Sequence, residues 1–296
     1  MTASKPRQQM PIAQPEIRLL TAGDVRQLHL SGDQRLNEAA LRSLVTAYPG
    51  RSVWAPETLE FIAMSPWRHR AEIAHVREIS AVRHRDSLLT AAIDQCRAAE
   101  AAMVLYIQMD EFREPGWYAR VGLEPIEEVI TYELRRLNAM RGRSTGLRYV
   151  AADPTDPAVM TDLVRLDHAA FPWLWWNSVA EFAAYRMTAG VQIYLALAGQ
   201  RPIGYVGMTL YPGWGYIDRI AVDPESQGRG YGRQLLAFAV ERMAQQGARR
   251  VALSTQRENH RSRRLYERAG FQRSPGFDYQ IYGVALRSPA PGLAVL

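Results

Sequence analysis

Val222-Asp223-Pro224-Glu225-Ser226-Gln227-Gly228-Arg229-Gly230-Tyr231-Gly232-Arg233 is the stretch that decides how this chain is read. Before it, Tyr216 to Val222 is apolar enough for a buried strand. After it, Leu235, Leu236, Ala239, Val240 and Met243 recur at helical spacing, with Gln234, Glu241, Arg242 and Gln245 on the other face. A strand therefore ends at Asp223-Pro224, the chain turns through Gly228, Gly230 and Gly232, and a long helix begins. Glycine allows positive φ and leaves no Cβ between the backbone and a ligand. The free N–H groups of the first helical turn and the positive end of the dipole then point outward together, which makes an anion site. The spacing is not that of a Walker loop, which needs Gly-Lys-Ser/Thr, nor the G-x-G-x-x-G of a dinucleotide fold. A glycine-rich turn that merely caps a helix is the plain alternative.

A second motif weighs against that alternative. Asn259-x-x-Ser262-x-x-Leu265-Tyr266-x-x-x-Gly270-Phe271 follows another strand, which ends at Thr255. With Gln227-x-x-Gly230-x-Gly232 it resembles the GNAT acyltransferase superfamily, strongly from Leu147 to Ala285 and weakly from Glu16 to Leu134. The resemblance implies acetyl-CoA as cofactor, its pyrophosphate held by Gln227, Gly228, Arg229, Gly230, Tyr231, Gly232 and Arg233. It also implies that a backbone N–H among Ile220, Ala221 and Val222 polarises the thioester carbonyl. Asn259 and Ser262 would hold the pantetheine arm, and Tyr266 would protonate the departing thiolate. A phenol and an amide are the right types for these tasks; Tyr266 as a core aromatic is the competing reading.

The general base is less direct. Relatives that acetylate ribosomal N-termini carry a glutamate on the strand before the asparagine motif, and Ser254 stands there in this chain. The other usual source is the strand leading to the glycine-rich turn, where Asp218 lies among apolar residues. An Asp in such a strand is costly unless paired or used. Arg219 is a poor partner, because strand neighbours point to opposite faces. Asp218 is read either as base, direct or through water, or as a structural group with a partner elsewhere. Phe171, Trp173, Trp175 and Trp176 crowd a six-residue loop where the resemblance places acceptor binding. They read either as a wall for the acceptor or as packing against another domain. Trp67-Arg68-His69-Arg70 is a second cluster, facing an acidic substrate, RNA or solvent.

With 296 residues the chain is long enough for two domains. Its formal charge is +6, with Lys5 the sole lysine, and the arginines are scattered. A nucleic-acid role is therefore disfavoured, and phosphates of a coenzyme suit local clusters as well. Cys96 is the one cysteine, so neither an intrachain disulfide nor a cysteine zinc cluster is available, and no metal is expected. No run nears the roughly 18 apolar residues of a membrane span, and residues 1–15 read as a tail without a signal core. A cytoplasmic protein is the expectation.

Strands and helices then follow in two series, separated by a polar linker at residues 138–146. Counting back 147 residues sets Leu235-Leu236 on Leu88-Leu89, Val251 on Val104, and Met243 on Cys96. One residue of gap later, Leu265 to Phe271 overlies Trp117 to Leu123. This is an internal duplication. Between Val82 and Leu88 there are seven residues fewer than between Val222 and Leu235, and those are the glycine-rich turn. The expectation is an α/β (α+β) protein of two tandem GNAT-like domains, each a mixed, mostly antiparallel twisted sheet flanked by helices. Residues 16–137 form a degenerate first domain and 147–286 the catalytic one, with a helix expected to begin at Asp156-Pro157. The reaction implied is direct transfer of acetyl from acetyl-CoA to a primary amine, small molecule or peptide, in a ternary complex. Two alternatives stay open. One is a non-catalytic acyl-CoA-binding or sensing module. The other is an unusual acceptor, such as the amino-sugar thiol precursors of the two-halved mycothiol synthases, whose second motif is not closely matched.

Overall fold

The computed structural model describes residues 15–30, 36–109, 114–137 and 146–287. Residues 138–145 of the expected linker, and both tails, lie outside them.

The first series runs β1 (Arg18–Leu19), α1 (Glu38–Ala47), β2 (Val53–Ala55), β3 (Glu60–Trp67), β4 (Arg70–Ser80), α2 (Arg85–Ala98), β5 (Met103–Met109), α3 (Pro115–Arg120) and β6 (Glu124–Leu134). The second runs β7 (Leu147–Ala151), α4 (Pro157–Ala170), α5 (Val179–Arg186), β8 (Val191–Ala198), β9 (Arg201–Tyr211), β10 (Trp214–Val222), α6 (Tyr231–Gln245), β11 (Arg250–Gln256), α7 (His260–Arg268), β12 (Gln272–Arg273) and β13 (Tyr279–Ala285). The helix starts follow local chemistry. Asp156 accepts the Ala158 N–H at 2.8 Å with Pro157 at the first position, as the sequence suggests, and Asn37 and Ser178 cap α1 and α5 in the same way. β4 ends at Ser80, and Val82 beyond it is 89% exposed.

Among the described residues all strands join one thirteen-stranded sheet, ordered β1-β2-β3-β4-β5-β13-β6-β11-β10-β9-β8-β7, with β12 also against β6. Among the described residues its parallel pairs are β4 with β5 and β10 with β11. These occupy matching places in the two series, and Val104 and Val251 sit at the start of each. The ends of the two series cross over. β13, the last described strand, lies between β5 and β6. β6, from the first series, pairs with β11 over six residues, Val251↔Leu134 to Gln256↔Val129.

The cores record the same exchange. Leu235, Leu236, Ala239, Val240 and Met243 of α6 pack on Ile130, Tyr132 and Leu134 of β6. Leu88, Leu89, Ala92, Ile93 and Cys96 of α2 share a core with Tyr282 of β13. Among the described residues no helix is long and apolar enough to cross a membrane, and no group of His, Cys, Asp and Glu is arranged for a metal ion.

Candidate active site

β10 and β11 pair only from Trp214↔Arg250 to Ile217↔Leu253, and beyond that no ladder joins them. β10 stays on β9 to Val222↔Gly204, and β11 stays on β6 to Gln256↔Val129. A cleft therefore opens inside the sheet between strands that are each held on their outer side. The Asp223 N–H donates to Ile203 of β9 at 2.8 Å. Because strand amides alternate in direction, the N–H groups of Val222 and Ile220 point the other way, into the cleft. The Val222 carbonyl, on that same side, accepts the Gln227 side-chain amide at 2.8 Å.

Gly228 and Gly230 take φ of +81° and +80°, and Gly230 caps α6 without a side-chain bond. No atom lies within 4 Å of where a Cβ would stand at either position. The cradle is open, and the first amides of α6 face into it. A cavity of about 560 Å³ follows, bordered by Ile220, Ala221, Val222, Gln227, Gly228, Gly230, Tyr231, Gly232 and Arg233 on one wall and by Asn259, Ser262 and Tyr266 on the other. Arg229 points outward and is exposed. The Asn259 Oδ1 is committed to capping α7, accepting the Ser262 N–H at 3.0 Å, which leaves its amide NH2 as the free donor.

A second cavity, about 320 Å³, meets the first at Tyr266, Asn259 and Ser262. Asp218 lines it at a β-bulge, where the β9 register jumps from Ile217↔Met208 to Arg219↔Gly207. The extra residue aims the carboxylate into the opening. It accepts from Tyr185 Oη at 2.6 Å and Thr209 Oγ1 at 2.8 Å. Although its surface opens to the cavity, protein encloses the other sides, and this desolvation raises its pKa against the pull of the two hydroxyls. The bulge also breaks the expected alternation: Arg219 lies on the same face as Asp218, its Nε donating to Tyr205 at 3.0 Å and its guanidinium pairing with the fully buried Asp167 at 2.6 Å. Burial pushes the Tyr266 phenol up to about 12, with the Ser262 hydroxyl one turn away working against it. It therefore holds its proton throughout the neutral range. Ser254, where relatives carry a glutamate, accepts from Tyr216 at 2.7 Å and contacts Thr131 at 2.9 Å.

The aromatic loop divides its labour. Phe171 and Trp175 border both cavities. Trp173 and Trp176 lie under the Arg70 guanidinium, 4.6 and 5.9 Å from ring centre to cation, and neither borders either cavity. Trp67 Nε1 donates to the Leu174 carbonyl at 2.7 Å. So the two clusters singled out in the sequence pack against each other. His168 stacks on Trp176 and bonds the Asn177 carbonyl, away from the cavities.

Three residues of the first series to which the sequence assigns no role, Arg68, Glu127 and Val129, border these cavities. Glu127 of β6 lines the larger one and accepts from Trp175 Nε1; burial pushes its carboxyl up to about 7. Arg68, in the β3–β4 turn, lines the smaller one. The Trp-Arg-His-Arg cluster was a signal for Arg68. Nothing in the chain around Glu127 separates it from an ordinary strand carboxylate.

At the matching place in the first series, the amides before α2 are already occupied. The Glu60 carboxylate accepts the N–H groups of Val82, Arg83 and His84 at 2.7, 2.7 and 3.0 Å. These bonds outweigh its burial and lower its pKa. Tyr118, which overlies Tyr266, stacks on Tyr282 at 3.8 Å in the core.

The acetyltransferase (GNAT) family model matches residues 159–271. An aminoalkylphosphonate N-acetyltransferase of Salmonella typhimurium is 30% identical over 138 residues, 43% of this chain and 85% of that protein. A mycothiol acetyltransferase of Kocuria rhizophila is 35% identical over 88 residues, and the match spans 27% of this chain but only 29% of that protein's length. Among solved structures, a tandem GNAT protein from the clavulanic acid biosynthesis pathway superposes with a TM-score of 0.57 at 16% identity, covering 93% of this chain and 99% of that one. With the split sheet and the open glycine cradle, these likenesses settle the lineage: the chain shares the fold of that tandem GNAT protein and belongs to the GNAT acetyltransferase superfamily.

Proposed function

We propose that this protein moves an acetyl group from acetyl-CoA to the primary amine of a small acceptor, by direct attack within a ternary complex formed in the second half. The observation that carries this reading is the meeting of two cavities at Tyr266, one rimmed by the glycine cradle and the other holding Asp218. The residues fit the coenzyme. Open space at Gly228 and Gly230 admits a pyrophosphate to the first amides of α6, and the Asn259 amide is free to meet a pantetheine carbonyl.

Acetyl-CoA supplies the activated acyl group. The N–H groups of Ile220 and Val222 offer preorganised donors in the cleft where acyl oxygen charge develops. Asp218 takes the ammonium proton of the acceptor on its carboxylate, directly or through a water. Tyr266 keeps a proton on its phenol for the leaving sulfur. Ser254 holds the place of a second carboxylate without supplying one.

The two units are 16–137 and 147–286, each completed by the other's last strand, and the first is a support without coenzyme. Glu60 filling the amides ahead of α2 supports that assignment. Relatives named for an aminoalkylphosphonate and for mycothiol chemistry support a small amine as acceptor. A thiol-release screen with acetyl-CoA against amino acids, aminophosphonates, amino sugars, polyamines and peptide N-termini tests the reading. Turnover that vanishes in Asp218→Asn and Tyr266→Phe supports it. Tight coenzyme binding with no thiol released by any amine would leave a binding module instead.

A further inference from the structure

The β3–β4 turn consists of Arg68 and His69, both with positive φ, +51° and +53°. Glycine, Asn or Asp is the usual occupant of such a turn, because bulkier side chains are strained there. The second half holds it in place. Ser178 Oγ donates to the Arg68 carbonyl at 2.9 Å, and Glu181 meets His69 Nδ1 at 2.7 Å. The turn delivers the Arg68 side chain into the smaller cavity, the one that contains Asp218.

There the guanidinium lies 5.3 Å from the Trp67 ring centre and 5.1 Å from that of Trp175, with one nitrogen donating to Asn177 Oδ1 at 2.6 Å. Its Nε is buried without a hydrogen-bond partner. The nearby carboxylates are spent elsewhere: Asp167 on Arg219, Glu181 on His69, and Asp218 on the hydroxyls of Tyr185 and Thr209. Burial and the like charge of Arg219 push Arg68 down to about 10, which still leaves it cationic at neutral pH. A half-buried cation whose enclosed Nε donor is orphaned is costly unless something pairs with it. A guanidinium fork matches the two oxygens of a carboxylate or phosphonate. One cavity thus holds a carboxylate suited to an ammonium and a cation suited to an oxyanion.

Building on the acetyl-transfer reading, we propose that the acceptor is a small amine carrying an acidic group, which Arg68 from the first half binds while the amine faces Asp218. The first half then selects the substrate for the second, through a turn that the sheet carries across the boundary.

The test uses the full chain and matched acceptors: β-alanine against its amide, and 2-aminoethylphosphonate against ethanolamine. Thiol release gives kcat/KM for each. The acidic member of at least one pair is expected to be preferred by about 10- to 100-fold, the worth of one charge-assisted bond, and the two pairs tell carboxylate from phosphonate. Arg68→Gln is expected to erase the preference through KM, with acetyl-CoA affinity by calorimetry unchanged, and Arg68→Lys to restore part of it. Since Arg68 also packs between two tryptophans, melting curves accompany each variant, and the wild-type pair comparison stands without any variant. Equal use of acidic and neutral members, or a preference that survives in a folded Arg68→Gln, overturns this proposal alone. Coenzyme binding with no amine turned over overturns the transfer reading and this proposal together.

Discussion

Asp218 owes its position to one inserted residue. The bulge in β10 turns its carboxylate toward the cavity while Arg219 stays in the core with Asp167. Because enclosure raises its pKa, the acidic limb of kcat/KM should lie above the ordinary carboxylate range. Asp218→Asn should remove that limb and lower the rate by about 100-fold, read in a pH–rate profile. Tyr266→Phe should cost kcat a similar factor of about 100 with acetyl-CoA affinity intact. A wild-type rate in that variant across pH would remove the acid. Glu127 gives a different kind of prediction. Its carboxyl rises from an ordinary 4.5 to about 7 on folding. A raised folded pKa means the stabilisation is complete below the unfolded value and lost as pH climbs through the folded one. Relative to Glu127→Gln, the wild type should therefore melt alike near pH 4.5 and fall behind toward pH 7 and above, by up to about 3 kcal/mol. Melting curves at both ends decide it. Asp218 and Tyr266 were legible because each sits at a fixed step from a glycine or asparagine motif. Glu127 was not, and Arg68 was visible only as part of a cluster without a place, since both reach the cavities by contacts with Trp175 and Asn177 across long stretches of chain.

At the scale of the element, the turn before α6 and the neighbouring strand make separable demands. Gly230 needs its positive φ but has open space around it. Gly230→Ala should cost about 1 kcal/mol of stability from the left-handed backbone and weaken acetyl-CoA binding by about tenfold, or 1.4 kcal/mol. Calorimetry and melting report the two effects independently. Gly207 is the reverse case. A Cβ there would stand 2.9 Å from the Tyr185 hydroxyl, too close for the phenol to stay. Gly207→Ala should push Tyr185 off Asp218. Losing that bond raises the Asp218 pKa further, so the acidic limb should move to higher pH while the fold persists. The turn and helix were readable from glycine spacing and the apolar stripe of α6. The bulge was not, because one extra residue in an apolar strand leaves no mark in composition or alternation.

For the whole molecule, the exchange of β6 and β13 ties the halves into one sheet. Deleting residues from 279 onward should unfold both halves, because it exposes the β5 and β6 edges and removes Ile281 and Tyr282 from two cores. Circular dichroism on the truncated chain would report it, and a first half that kept its native signal would contradict it. The duplication was legible, since α2 and α6 repeat their buried positions at a constant offset. The exchange was not. Repeats say that two units are alike, whereas which strand closes which sheet is set by long-range pairing of edges that either copy could satisfy. Glu60 was equally hidden, its bonds to the amides before α2 spanning more than twenty residues.

Where a phosphorylated thioester carrier sits is answered directly by a crystal structure of the full chain soaked with acetyl-CoA. One molecule is predicted, its pyrophosphate on the amides between Gly228 and Arg233 and its sulfur beside Tyr266. An empty cradle there, or density at the start of α2 in place of the Glu60 carboxylate, would contradict it.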